Sequence, residues 1–200
     1  MKRRIFLFLT LFVLRGPLQA QDENCPAVAS IARMARAKSA SDLAEWRRRA
    51  GDSYRAKVVF QARLLELNPK SKSAADSLLE LIPKNQEQKL VLVTLGDSLC
   101  GSEAMRDMTS LDRLGERLSS DLARAVLLVP EKMQSYVFYA SAAVRDPHSD
   151  YAVQMQGVCR GNHESFTKVV EEMPEGDRDW FVKHILDPNT CHAFALPEAD

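Results

Sequence analysis

The sequence predicts an all-α protein in which helical hairpins form a solenoid-like or irregular stack stapled by disulfides. Apolar residues recur at three- and four-residue spacings over most of the chain, which places them on one face of a helix. Apolar segments also end repeatedly at prolines, which stop helices, at Pro69, Pro83, Pro130 and Pro174. Strand-type alternation never extends beyond a few residues, except in the ambiguous segment 90–95.

Residues 1–20 have the order of a secretory signal peptide. Basic residues precede an apolar run at 5–14, which is followed by Gly16, Pro17 and the small residue Ala20. The run is too short to span a bilayer as a helix, and no later segment is long and apolar enough to do so. We therefore expect cleavage after Ala20, no stable membrane span afterwards, and a periplasmic or extracellular protein. An uncleaved N-terminal anchor is the alternative.

The remaining residues, 21–200, have the length of one compact domain. The signal contains four of the 27 basic residues, so 23 basic side chains face 27 acidic ones in the mature chain. This negative balance argues against nucleic acid as a partner. We expect a single all-α domain whose partner is a protein or a component of the cell envelope.

Boundary residues define the helices in the first half of this domain. Ser39, with Asp42 three residues later, predicts the cap of a helix that ends at Gly51. The next helix is predicted to stop before Pro69. The basic run 47–49 is interpreted as a solvated helix face, with an anion-binding site as the alternative.

The second half is predicted to be helical as well. A long helical period surrounds Gly115, which is expected to loosen or divide the helix. Pro130 opens a helix that is apolar on more than one face and therefore central. A short helix at about 149–156 then leads through Gly157 to Cys159.

The segment between Cys159 and Cys191 predicts an antiparallel helical hairpin. The first helix follows the N-cap residue Asn162 and stops at Pro174, and the second ends near Leu186. Because the turn between them is short, the helices must be antiparallel, which brings the two cysteines together. The apolar stripes consist of Phe166, Val169, Val170 and Met173 in the first helix and Trp180, Phe181, His184 and Ile185 in the second. In this pattern the histidine is interpreted as a core residue.

Four cysteines in an oxidising compartment predict two disulfides among three possible pairings. The hairpin favours Cys159 with Cys191, and elimination leaves Cys25 with Cys100. In the chain-entropy model, a disulfide that closes a loop of roughly 30 residues stabilises the fold by about 3–4 kcal/mol. The alternative use of the hairpin thiols is a zinc site, with the ligands Cys159, His163, Cys191 and His192.

The helix before Pro69 carries a repeat-like pattern. Ala56, Phe60 and Leu64 are followed by Leu67-Asn68-Pro69. This pattern resembles the second helix of a tetratricopeptide repeat over about one repeat, with the proline one place late. Because such repeats stack and present extended surfaces, the resemblance implies a helical protein that binds another macromolecule.

The segment 90–99, with the sequence LVLVTLGDSL, carries a second motif. It resembles the first block of the GDSL esterases and lipases, in which a buried strand ends at a Gly-Asp-Ser-Leu turn. The resemblance implies that Ser98 attacks an ester carbonyl, assisted by a histidine that an aspartate orients. The alternative is a buried helix at about 86–95 that Gly96 ends, with the core residues Leu90, Val91, Val93 and Leu95.

These patterns do not combine into one coherent catalytic site, so we argue the function from the fold. We expect an exported helical scaffold or interaction protein without catalytic activity and without a cofactor. The alternative is a GDSL-type ester hydrolase that uses Ser98 as its nucleophile.

Overall fold

The computed structural model describes residues 25–93, 105–143, 150–186 and 191. Every regular element in these ranges is helical, which confirms the all-α fold class. The α-helices are α1 Cys25–Arg36, α2 Ala40–Arg49, α3 Tyr54–Leu67, α4 Lys72–Leu79, α5 Gln86–Val93, α6 Met105–Leu128, α7 Met133–Ala143, α8 Asp150–Gly161, α9 His163–Glu171 and α10 Glu175–His184. None of the helices in this described part is long and apolar enough to cross a membrane.

Serine caps start three successive helices. The hydroxyls of Ser39, Ser53 and Ser71 accept hydrogen bonds of 3.1 to 3.2 Å from backbone N–H groups in the first turns of α2, α3 and α4. Each bond satisfies an N–H group that the helix itself leaves without a partner. Gly51 follows α2 with a φ of 73°, the left-handed conformation that ends a helix and that glycine adopts without strain.

Helix α6 is the centre of the packing. It is 24 residues long and packs against α1, α3, α4, α7 and α8. Gly115 lies within this uninterrupted helix, so the predicted division there is wrong. A linear solenoid would restrict each helix to its neighbours along the chain, whereas α6 contacts the distant α1. The solenoid-like arrangement is therefore not confirmed.

The core is one cluster of buried side chains that extends from α1 to Cys191. Its largest fully buried members are Tyr136 on α7, Phe166 on α9 and Phe181 on α10. Many of the positions in the first three helices are alanines, which let helices approach closely. The predicted central role of the helix that follows Pro130 agrees with the burial of Met133, Tyr136 and Val137.

Two boundaries differ from the sequence-based expectation. Helix α8 continues through Gly157 to Gly161, so Cys159 lies on a helix and not in a loop. A glycine inside a helix costs roughly 1 kcal/mol, which the burial of Val158 and Cys159 in the next turn outweighs. The two helices predicted after this point are confirmed as α9 and α10, with Asn162 as the cap of α9.

Three residues predicted to lie on buried apolar faces are exposed: Leu90, Trp180 and His184. Leu90 on α5 is 49% exposed, so the helix at 86–93 is confirmed but its deep burial is wrong. His184 is also exposed, and its ring lies 5.5 Å from that of Trp180 on the outer side of α10. Both helices have a second apolar edge that no other described helix covers. Only Phe181 and Ile185 of the predicted stripe on α10 are buried.

Candidate functional site

The structure brings Cys159 and Cys191 to bonding distance, with their Cα atoms 6.1 Å apart. This separation lies within the range that disulfides span without backbone movement. Cys159 occupies the last turn of α8, and both cysteines are buried. The bond therefore ties the end of α8 to the segment after α10.

His163 lies beside this pair. It is the first residue of α9, and Asn162 before it caps the helix by accepting a 3.2 Å hydrogen bond from the Ser165 N–H. Its Nδ1 is 3.6 Å from the Sγ of Cys159, and the ligand atoms of the two cysteines and the histidine all lie within 4.8 Å of one another. His163 is exposed and the two cysteines are buried, so among the described residues of this cysteine–histidine corner the histidine is the one that meets solvent.

Helix α6 also helps to position the corner. Gly161 ends α8, and a Cβ atom at this position would lie only 2.8 Å from Cδ2 of Leu127 on α6. Glycine therefore permits the end of α6 to lie directly against the end of α8. This contact holds Cys159 where α9 begins.

Several predicted site residues lie outside the described part of the chain. They are Ser98, Cys100, His192 and the side chain of Cys25. The pairing of Cys25 with Cys100 and the fourth zinc ligand therefore stay predictions. Leu90 to Val93, the part of the GDSL-like segment that the structure describes, belong to helix α5.

A second cluster lies on α1 and α2. The indole ring of Trp46 is flanked by two guanidinium groups, with Arg33 at 4.6 Å and Arg49 at 4.8 Å from the ring centroid. The indole N–H donates a 3.0 Å hydrogen bond to Asp42, which fixes the ring orientation. Stacking on an aromatic ring leaves the edge of a guanidinium group able to bond a carboxylate, as in the pair of Arg49 with Glu45 at 2.7 Å. We call the exposed surface around Trp46 the basic face.

The three arginines of the run 47–49 have different environments. Arg47 is partly buried and pairs with Asp52 at 2.7 Å, while Arg49 pairs with Glu45 at 2.7 Å. Hydrogen bonds from Lys57 and Arg47 lower the pKa of Asp52. Arg48 is exposed. The interpretation of the run as a solvated face is therefore wrong for Arg47 and fits Arg48.

A buried carboxyl group on α6 lies close enough to Glu66 on α3 to be affected by its charge. The Asp121 side chain is only 3% exposed, and its nearest basic group is Arg124 at 3.6 Å. Burial and the neighbouring Glu66 raise the pKa of Asp121 to about 6, against the pull of the surrounding arginines. Glu66 in turn accepts from Arg63 at 2.5 Å and pairs with Arg117 at 3.1 Å. We call these residues the buried charge network.

All four tyrosines of the chain gather between α3, α7 and α8. The hydroxyls of Tyr139 and Tyr151 are 3.1 Å apart, and Tyr54 donates a 2.5 Å hydrogen bond to the Leu81 carbonyl. Burial raises the pKa of each tyrosine, so all four stay neutral. The Tyr136 hydroxyl is buried without a hydrogen-bond partner among the described residues.

The sequence predicted the grouping of the two cysteines with His163. It did not predict the cluster around Trp46, the buried charge network or the cluster of tyrosines. The spacing of Arg63 with Glu66 and of Asp121 with Arg124 is a detectable signal, because residues three apart face each other on a helix. Neither the burial of Asp121 nor the stacking of Arg33 on Trp46 has such a signal, since both depend on a second helix.

The chain was also compared with known proteins. No family model, no curated protein and no solved structure matches this chain. The resemblances to tetratricopeptide repeats and to GDSL esterases therefore stay predictions.

Proposed function

We propose that this protein is an exported helical scaffold whose basic face binds an acidic segment of a partner protein. The observation that carries the proposal is the Trp46 ring held between Arg33 and Arg49 at the surface of α1 and α2. Within residues 25–49, six basic side chains face two acidic ones. Arg47 pairs with Asp52 and Arg49 with Glu45, so the segment keeps a modest excess of positive charge, whereas the chain after residue 20 has 23 basic and 27 acidic side chains.

Arginine is suited to this role because its planar guanidinium group binds a carboxylate with two parallel hydrogen bonds. Stacking on Trp46 and the pair with Glu45 hold Arg49 in place at the surface, so less side-chain entropy is lost when a partner binds beside it. Arg48 and Lys38 add exposed positive charge on the same two-helix unit. Together these features favour carboxylate-rich segments.

The apolar residues of α1 and α2 argue against a lipid surface as the partner. Ile31 and Met34 of α1 and Leu43 of α2 are fully buried in the core, so the two helices have no apolar face left to insert into a bilayer. Trp46, which could insert, is hydrogen-bonded to Asp42 and contacted by the guanidinium groups of Arg33 and Arg49. A protein segment is therefore the partner that this chemistry fits best.

Binding of a polyglutamate peptide to the purified protein tests the proposal. We expect the Arg49→Glu variant to bind the peptide at least about tenfold more weakly, because it reverses the charge of a side chain that stacks on Trp46 in the basic face. Arg160→Glu makes the same charge change on an exposed position of α8 and should bind like the wild type. Binding should also weaken with added salt. Fluorescence anisotropy with a labelled peptide measures all three.

Several outcomes would contradict the proposal. Equal loss in both charge-reversal variants would mean that only the total charge matters. Binding to anionic phospholipid vesicles in preference to the peptide would make a membrane the partner. Salt-dependent self-association of the wild type would point to the acidic hairpin of a second copy, which carries six acidic and three basic residues at 163–184.

Export is tested separately. We expect the protein to occur in the periplasmic or extracellular fraction, with a mature N-terminus at Gln21. Mass spectrometry of the N-terminal peptide from fractionated cells measures both. A chain that retains residues 1–20 would contradict cleavage and favour the N-terminal anchor.

A further inference from the structure

The cysteine–histidine corner has the composition of a metal site. Two sulfurs and one imidazole nitrogen lie within 4.8 Å of one another, and they come from the end of α8, the start of α9 and the segment after α10. Thiolates and imidazole are the ligands that zinc prefers. In the disulfide state the two sulfurs are bonded to each other and are unable to act as thiolate ligands.

The spacing fits tetrahedral zinc. Zinc binds thiolate at about 2.3 Å and imidazole nitrogen at about 2.0–2.1 Å, so the S···N edge of a tetrahedral site measures about 3.6 Å. The Nδ1 of His163 is 3.6 Å from the Sγ of Cys159, although the bond to Cys191 is formed. The histidine therefore occupies its ligand position before any metal binds. Only the two sulfurs would have to separate, by rotation of their side chains.

We propose that reduction of the Cys159–Cys191 disulfide creates a zinc site formed by both thiolates and the Nδ1 of His163, with water as the fourth ligand. A dithiol reductant supplies two electrons and two protons: the S–S bond breaks, two S–H groups form, and the reductant becomes a disulfide. Zinc then displaces these two protons and binds the thiolates. The metal enters on the exposed histidine side.

The disulfide and the zinc site use the same two sulfurs, so only one of them closes the hairpin at a time. In oxidising conditions a covalent bond ties α8 to the segment after α10, and in reducing conditions the metal ties the same two points and adds the start of α9. The chain therefore has a way to keep the hairpin closed in either state. This inference does not depend on the partner proposed for the basic face.

Zinc content of the purified protein tests the inference. After reduction with a phosphine and gel filtration in the presence of zinc, we expect one zinc per chain in the wild type and none in the oxidised protein. His163→Ala should weaken zinc binding at least about tenfold, since loss of even an outer-shell partner typically costs 10–100-fold. His184→Ala, which removes another exposed histidine of the same hairpin, should bind like the wild type. Competition with a colorimetric chelator gives the affinities.

Two further measurements guard against binding elsewhere and against unfolding. The double variant Cys159→Ala with Cys191→Ala keeps the other two cysteines and should bind no zinc after reduction. Hydrogen exchange of the reduced wild type should show that zinc restores protection in α10. Absence of stoichiometric zinc, equal affinity of His163→Ala and wild type, zinc binding by the double variant or by the oxidised protein, or bound zinc without restored protection would overturn the inference.

Discussion

The N-terminal region, α1 to α4, and the C-terminal region, α8 to α10, are stabilised in different ways. Helix α3 buries five of its fourteen residues and α4 buries four of its eight, and both pack against α6. Helix α10 buries only Phe181 of its ten residues. Because burial supplies most of the stability of a helix, α10 needs a restraint from outside the helix, and the disulfide at Cys191 supplies it.

The two regions also differ in the side-chain interactions that join their helices. The N-terminal region is joined to α6 by the ion pair of Glu66 on α3 with Arg117. Within the C-terminal region, the disulfide ties α8 to the segment after α10, and a tilted contact between the rings of Phe166 and Phe181, whose centroids are 6.4 Å apart, joins α9 to α10. We therefore expect pH to change the stability of the N-terminal region, and redox state to change the stability of the C-terminal region.

The largest expected effect is loss of the aromatic contact. Phe166 is fully buried between α9 and α10, so Phe166→Ala should lower the free energy of unfolding by about 3–5 kcal/mol. Leu65→Ala, at an equally buried position of α3, should cost about 2–5 kcal/mol. Urea unfolding followed by circular dichroism measures both values.

Hydrogen exchange followed by mass spectrometry shows which region each of the two substitutions destabilises. Phe166→Ala should release protection first in α10, which has few other buried contacts, whereas Leu65→Ala should weaken protection throughout α1 to α4. Uniform loss in both variants would mean that the two regions unfold as one unit.

The next largest effect is expected from removal of the Cys159–Cys191 disulfide. Cys159→Ala with Cys191→Ala should lower the free energy of unfolding by about 3–4 kcal/mol, because the disulfide closes a loop with a sequence separation of 32 residues. With a chelator present, α10 should exchange faster and α1 to α4 should not change. A thermal melt compared with the oxidised wild type measures the loss. Equally faster hydrogen exchange in α1 to α4 would show that the disulfide stabilises both regions alike.

The comparison also explains which features the sequence could predict. Caps at Ser39 and Asn162 follow from local chemistry, and the structure confirms both because a cap needs only the next turn of its own helix. The closeness of Cys159 and Cys191, which are 32 residues apart, is expected from the short turn at Pro174. The caps depend on residues that are near each other along the chain.

Features that depend on a distant helix could not be predicted. The exposure of Leu90 and His184 depends on which apolar edges the other helices cover. The spacing of apolar residues along the chain does not show which edges these are. The burial of Asp121 follows from the packing of α6 on α3, and the stacking of Arg33 on Trp46 from the packing of α1 on α2. Each requires knowledge of a partner element before the side chain can be placed.

The third effect is a pH dependence in the buried charge network. The pKa of Asp121 is about 6 in the folded protein and 3.8 ordinarily, so the folded state holds this proton more tightly than the unfolded state. The resulting stabilisation is complete below about pH 4 and is lost as the pH rises through 6. Asp121→Asn stays neutral throughout. It should therefore be more stable than the wild type at pH 7, by up to about 3 kcal/mol, and the difference should shrink towards pH 4.

Urea unfolding of both proteins from pH 4 to pH 7.5 measures this difference. Asp179→Asn serves as the control for an exposed carboxylate in the C-terminal region, because the Asp179 side chain is 64% exposed. A constant difference for Asp121→Asn, or the same pH-dependent difference for both variants, would contradict the assignment of pH sensitivity to the α3–α6 side.

The smallest effects concern one glycine in each region. Gly51 has a φ of 73°, which a residue with a Cβ atom adopts at a cost of roughly 1–2 kcal/mol, so Gly51→Ala should destabilise the N-terminal region. Gly157 lies inside α8, and a Cβ atom there would meet nothing within 4 Å. Because alanine loses less backbone entropy on folding, Gly157→Ala should stabilise the protein by about 0.5–1 kcal/mol. Opposite shifts in thermal midpoint are the expected result, and stabilisation by both alanines would show that the turn after α2 does not require glycine.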